Sequence, residues 1–285
     1  MRSPKRWAGR LASWRQGQQS RCVCTRIASV VEITSEQIMS ASSSSVSPAI
    51  AHPTVEEFFE STWAAYAAIL DNNYMCHREI FDALGNYLES HYRGRPFSLI
   101  DLGCGDARFI AKALRGTAVN RYVGYDIADT ALVEAGRQLG RLPCTVELQE
   151  IDLMDALRSG DERFDVVFTS FAVHHLETSE KAEFFRQAAR RVAPGGLLVM
   201  IDVMRAEGED RIAYLQRYIG RARAQWTNLT ENVIDAVCCH IDDRDFPEAP
   251  SALTRMAADA GFGAPTVLPA YCDHHTLIWQ LTDAG

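Results

Sequence analysis

The chain has 285 residues, 47% of them hydrophobic and 23% charged, with 29 basic against 37 acidic residues and a formal net charge of −8. That is ample apolar material for one large core, or for a core with a small cap. The acidic balance disfavours a nucleic-acid partner, no apolar run is long enough to span a bilayer, and the eight cysteines are scattered in a chain too large to need disulfide staples.

Residues 1–31 contain Lys5 and six arginines (Arg2, Arg6, Arg10, Arg15, Arg21 and Arg26), with no acidic residue before Glu32. This stretch reads either as an organelle transit segment or as sequence ahead of a start at Met39, which opens a Ser-rich run that buries little. Residues 1–50 are therefore expected to be an unfolded tail ahead of a domain over 51–285. Residues 1–38 hold 7 of the 29 basic and 2 of the 37 acidic residues, leaving 22 against 35, a net charge of −13 for the body. The expected setting is cytoplasmic, with organelle import if residues 1–31 are a genuine transit segment. Neither a nucleic-acid nor a membrane partner is expected.

After the tail, 54–70 and 74–92 carry apolar residues at helical spacing, and Thr54 with Glu57 forms a capping box. Strands and helices then alternate. Short apolar runs at 97–102, 121–126, 145–150, 164–170 and 196–203 read as buried parallel strands. Helices are expected near 106–115, 129–140, 153–159 and 178–192, and "APGG" at 193–196 reads as a turn. Residues 207–248 interrupt this rhythm with a mostly helical insertion. It returns with a helix over 251–262, a strand near 265–270 and a closing strand over 274–281. Such a series predicts an α/β, doubly wound, mostly parallel sheet, whose ligands bind past the carboxyl ends of the strands. The helical cap at 51–95 and the insertion at 207–248 are the candidates to cover that edge.

The chemistry concentrates in "SLIDLGCGDARF", residues 98–109. Gly103 and Gly105 turn the first strand into a helix, whose N-terminus favours anions. A dinucleotide pyrophosphate would be repelled by Asp101, and Arg108 stands where a third glycine would allow close packing. A ligand bearing both an ammonium and a carboxylate suits the loop better. Asp126 ends the second strand, 23 residues past Gly103, where a carboxylate takes both ribose hydroxyls. Asp152 follows the third strand, placed to accept from an adenine amino group or simply to cap the next helix. An amino acid joined to adenosine is S-adenosylmethionine.

The runs "LIDLGCGDARF", "VGYDI", "EIDLMD", "FDVVFTSFAVHHL" and "RVAPGGLLVMIDV" resemble the successive motifs of class I S-adenosylmethionine-dependent methyltransferases, especially the small-molecule branch. The resemblance covers about 97–203 and fades before 97 and in 207–248. It implies a seven-stranded sheet in the order 3-2-1-4-5-7-6 with the last strand antiparallel. It also implies cofactor contacts from Asp101, Gly103, Gly105, Asp126, Ile127, Asp152, Leu153 and Ser170. His174 and His175, with Leu176, match a His-His-Leu frequent in the family, and either imidazole is a candidate general base. Tyr74, His77, Arg78, Tyr218, Trp226 and His240 are substrate or lid candidates, and His77 and His240 are further candidates to take an acceptor's proton.

Cys238-Cys239-His240 and Cys272-Asp273-His274-His275 suggest zinc. Neither has C-x-x-C spacing, and the second runs into a strand whose side chains alternate faces, so no metal is expected. Methyl transfer to an O, N, S or C acceptor is the expected activity. The alternatives are a catalytically silent cofactor-binding domain and a nicotinamide-dependent dehydrogenase, the latter opposed by Asp101 and Arg108.

Overall fold

The computed structural model describes residues 66–282, so the expected tail, the Thr54–Glu57 capping box and the first part of the 54–70 helix lie outside the described residues. Within them, seven strands form one sheet in the order β3-β2-β1-β4-β5-β7-β6. The strands are β1 (Phe97–Leu102), β2 (Val119–Asp126), β3 (Thr145–Glu150), β4 (Phe164–Ser170), β5 (Val192–Val203), β6 (Thr266–Val267) and β7 (His274–Gln280). β1 to β5 pair in parallel, and β7 runs antiparallel to both β5 and β6. The order expected from the motif series is the order observed.

Alternation along the strands builds two cores. Leu99, Val166, Val199 and Ile201 face one side and pack with Ile80, Leu84 and Leu88 of α1 (His77–Tyr92) and with Ile110 and Ala113 of α2 (Arg108–Ala113). Ile100, Val167, Leu198 and Met200 face the other, against Phe184 and Phe185 of α5 (Thr178–Arg191) and Leu253 of α8 (Pro250–Asp259). α3 (Asp129–Leu139) lies on the first side and α4 (Leu153–Arg158) on the second, as a doubly wound sheet requires. No helix among the described residues is long and apolar enough to cross a membrane.

Several boundaries differ from expectation for local reasons. The 74–92 helix starts only at His77, because Cys76 is left-handed at φ 56°. The helix after the glycine loop starts at Arg108, because Gly103, Gly105 and Ala107 all have positive φ. "APGG" is not a separate turn. β5 runs through it, with Phe164 opposite Val192 but Val166 opposite Leu197, an irregularity that Gly195 accommodates at φ 73°. The strand near 265–270 shrinks to Thr266–Val267.

The insertion forms α6 (Arg211–Gln225), capped by Asp210 accepting from the Ala213 amide, and α7 (Glu231–Arg244). Tyr214, Tyr218 and Ile241 from these helices, with Trp226 just after α6, bury with Ile69 and Met75 against Val203 at the end of β5. Tyr74 stacks on Trp226 at 5.4 Å, and its hydroxyl accepts the Asn228 amide at 2.8 Å. The N-terminal segment and the insertion therefore meet over the carboxyl edge of the sheet.

Candidate active site

The loop from Gly103 to Ala107 is shaped by close approach. Gly103 has φ 76°, and a Cβ there would lie 2.8 Å from the Ala172 Cβ. Gly124 on β2 is equally constrained, since its Cβ would meet the Leu148 side chain at 2.7 Å and the Tyr122 ring at 2.9 Å. That space lets the Tyr122 hydroxyl donate to Asp101 Oδ2 at 2.6 Å. Asp101 is thus buried at the end of β1, beneath the loop rather than exposed on it. Its Oδ1 has no partner, and burial raises its pKa to about 7.

Asp126 lies on the loop's flank. Its Oδ2 accepts the Gly105 amide at 2.8 Å and its Oδ1 the Ala128 amide at 2.9 Å, while burial raises its pKa. The carboxylate is fixed by backbone and keeps further lone pairs for a diol. Ile127 beside it is 52% exposed, an apolar side chain facing outward at the strand end. Asp152 caps α4, its Oδ1 accepting from the Met154 and Asp155 amides, so the capping alternative describes that oxygen. Leu153 opens α4 half-buried, and Ser170 ends β4 beside the loop.

Arg108, in the place of a third glycine, has a different task. Its guanidinium pairs with Asp106 at 2.5 Å and with Asp71 at 2.8 Å, tying the end of the helical residues 66–71 to the loop. A cleft remains between them, lined by Tyr66, His77, Gly103, Gly105, Ser170 and Phe171 among others. Tyr66 is half-buried there, and loss of solvent contact with the nearby Asp106 and Asp126 raises its pKa.

Phe171 has φ 51°, outside the usual range for a bulky residue, and its ring touches two imidazoles. His77 lies 4.6 Å from it by ring centroids and His274 5.9 Å. Both nitrogens of His77 are buried without partners, and burial with the repulsion of His274 lowers its pKa to about 3. His274 Nε2 lies 3.1 Å from the Tyr218 hydroxyl, and burial followed by Arg221 lowers its pKa to about 4. Both rings are therefore neutral at neutral pH. His77 lines the cleft, and Tyr218 and Trp226 reach it only through Phe171 and His274. Phe171 and His274 were missed as members of this wall, because only the antiparallel pairing of β7 with β5 brings residue 274 beside Val203. Arg78 does not join them. It is exposed, and its guanidinium donates to the Asp71 carbonyl at 2.9 Å.

His174 and His175 occupy a separate polar cluster and do not line this cleft. His174 is buried, its Nδ1 2.5 Å from Asp202 Oδ1, while its backbone amide donates to Asp202 Oδ2 at 2.9 Å. Burial opposes its charge, but Asp202 and Asp245 outweigh burial and raise its pKa. The His175 ring lies 3.9 Å from that of His174, tilted by 51°, and meets His240 at 5.3 Å, with its pKa lowered by desolvation and then by those two rings. Buried Asp245 has its Oδ1 without a hydrogen-bond partner. As general-base candidates, His174 and His175 stand outside the cleft beside the glycine loop. His240 is exposed at the end of α7, Cys238 is buried in the cap, and Asp273 is engaged by Arg217 at 2.7 Å and Arg221 at 2.6 Å. Neither cysteine-histidine run closes on itself. No disulfide joins the described cysteines.

Residues 99–196 match a family model described as a methyltransferase domain. A ubiquinone biosynthesis O-methyltransferase from Caulobacter is 32% identical over 112 residues, 38% of this chain and 41% of that one. The chain spans less than half the length of the curated relatives it matches. Among solved structures, an O-methyltransferase family protein from Burkholderia thailandensis superposes with TM-score 0.58 at 20% identity, over 80% of this chain and 62% of the other. Magnesium protoporphyrin IX methyltransferase from Synechocystis, with bound S-adenosylhomocysteine, superposes with TM-score 0.51 at 14% identity, over 72% and 83%. At these identities the likeness to the solved structures is one of fold.

Proposed function

We propose, from the premise that residues 99–196 carry a methyltransferase domain on the class I S-adenosylmethionine-dependent fold, that this chain transfers a methyl group from S-adenosylmethionine to a small-molecule acceptor. The observation that carries the reading is the junction of Gly105 with Asp126, which fixes a carboxylate beside a glycine loop at the carboxyl edge of the sheet. The donor set fits the cofactor. Asp126 offers acceptors to the ribose diol and Ile127 an exposed apolar surface to the adenine. Asp101 holds a buried, unpartnered oxygen behind the loop, placed to answer a cationic amino group through it. Gly103, Gly105 and Ser170 line the cleft itself, and Leu153 and Asp152 flank the edge at α4.

When bound, the cofactor supplies an electrophilic methyl on a sulfonium, and the protein's task is alignment and exclusion of water. Tyr66, His77 and Phe171 form the side of the cleft that faces the acceptor. His77, at a pKa of about 3, is too weak a base to abstract a proton efficiently near neutral pH, so it orients the acceptor by hydrogen bonding. Tyr218 and His274 extend this wall beneath the cap. The test is turnover. Purified protein with S-adenosylmethionine and a panel of phenols, amines and thiols should release S-adenosylhomocysteine with at least one class. Cofactor binding without turnover on any class would point to the silent-domain alternative.

A further inference from the structure

The His174, His175 and Asp245 cluster lies outside the cleft, and its geometry is not that of an ordinary hydrogen-bonded network. Each residue offers a ligand atom, and these atoms all lie within 4.8 Å of one another. Asp245 Oδ1 is 3.6 Å from His174 Nε2 and 3.5 Å from His175 Nδ1, too long for a hydrogen bond in either direction. His175 Nδ1 also lies 3.2 Å from the Arg244 carbonyl, a contact that this exposed ring must release to offer its lone pair to a cation. Two donors on one tetrahedral cation at about 2.0–2.1 Å would themselves lie about 3.3–3.4 Å apart. Asp245 Oδ1 is also buried with no partner, so the structure already bears the cost of pointing an oxygen at this spot.

We propose that His174, His175 and Asp245 bind a divalent transition cation of the zinc class. Two imidazoles with one carboxylate select such ions over calcium or magnesium, which take oxygen ligands. Asp202 supplies the outer support that such sites need. It holds His174 Nδ1 at 2.5 Å, fixing that nitrogen as the donor and leaving Nε2 as the ligand atom. Its carboxylate is itself anchored by the amides of His174 and Val203 at 2.9 Å each. An entry path exists because the His175 side chain is 39% exposed. The ligands come from the turn after β4 and from the residue following α7, so the ion would clip the insertion to the sheet edge.

The experiment is Co²⁺ titration of untagged full-length protein stripped with chelator, followed by visible absorption, with Zn²⁺ competition. One equivalent of Co²⁺ should bind and give d–d bands without the intense near-ultraviolet thiolate band that cysteine ligation would produce, and Zn²⁺ should displace it. Asp245→Asn and His175→Gln should abolish the bands while circular dichroism stays native. Asp202→Asn should weaken affinity about 10–100-fold. Absence of binding, a thiolate band, or bands unchanged in the folded His175→Gln and Asp245→Asn proteins would each overturn the proposal. Since the readout is metal binding alone, its failure is separate from any failure of methyl transfer.

Discussion

His77 and His274 lie on either side of Phe171, and His174 follows it by three residues, yet the two pockets treat an imidazole in opposite ways. Around His77 there is apolar surface and no carboxylate in contact, so burial keeps the ring neutral. Around His174, with no cation bound, two carboxylates more than offset the same burial and favour the imidazolium, whose Nε2 proton a bound cation would displace. The lesson is that partners rather than depth decide a buried histidine's charge. The neutral ring is left available to a ligand, whereas the paired ring is held in place.

The sharpest way to break this contrast is to remove the carboxylate that supports His174. Asp202→Ala leaves a buried imidazole and two backbone amides without their acceptor. It should cost about 3–5 kcal/mol in urea unfolding with chelator present. A loss below about 1 kcal/mol would mean that the cluster is not held by charge.

Asp101→Asn probes the same electrostatics beside the glycine loop. Asp101's pKa rises in the folded protein to about 7 from an ordinary 3.8, so its stabilising protonated form is lost as pH climbs through that window. The variant, which keeps an acceptor for the Tyr122 hydroxyl, should match the wild type below about pH 4. It should exceed it above about pH 7 by on the order of 2–4 kcal/mol. Parallel stability curves across pH 4–8 would contradict the burial argument.

A smaller effect sharpens the other half of the comparison. His77→Phe removes two buried nitrogens that have no partners and keeps an aromatic ring among Phe81, Phe109 and Phe171. Stability should hold or rise by about 1 kcal/mol, while the acceptor's KM increases. A strongly destabilised variant would show that His77 has a structural partner in solution.

Much of this was legible in the chain. Short apolar runs located β1, β3 and β4 to the residue, and the glycine loop and Asp126, read as neighbours in the sequence, meet at the carboxyl edge of the sheet. What was not legible depends on folding. Residues 174, 202 and 245 meet only because the insertion folds back over β5, and no spacing in the sequence announces Asp245 as their partner. His274 read as part of a zinc-like run, because its meeting with Phe171 depends on β7 lying antiparallel beside β5. Asp152 was ambiguous for a local reason, since a capping carboxylate and a cofactor carboxylate look alike in sequence.

The central claim, that the Gly105–Asp126 junction holds an adenosyl amino acid, is tested most directly by calorimetric titration of the full chain with S-adenosylhomocysteine. The account predicts one site per chain, with affinity lowered about 5–150-fold in Asp126→Ala, the equivalent of about 1–3 kcal/mol for lost hydrogen bonds to a charged group. No detectable binding, an unchanged affinity in that variant, or binding of NAD in its place would contradict it.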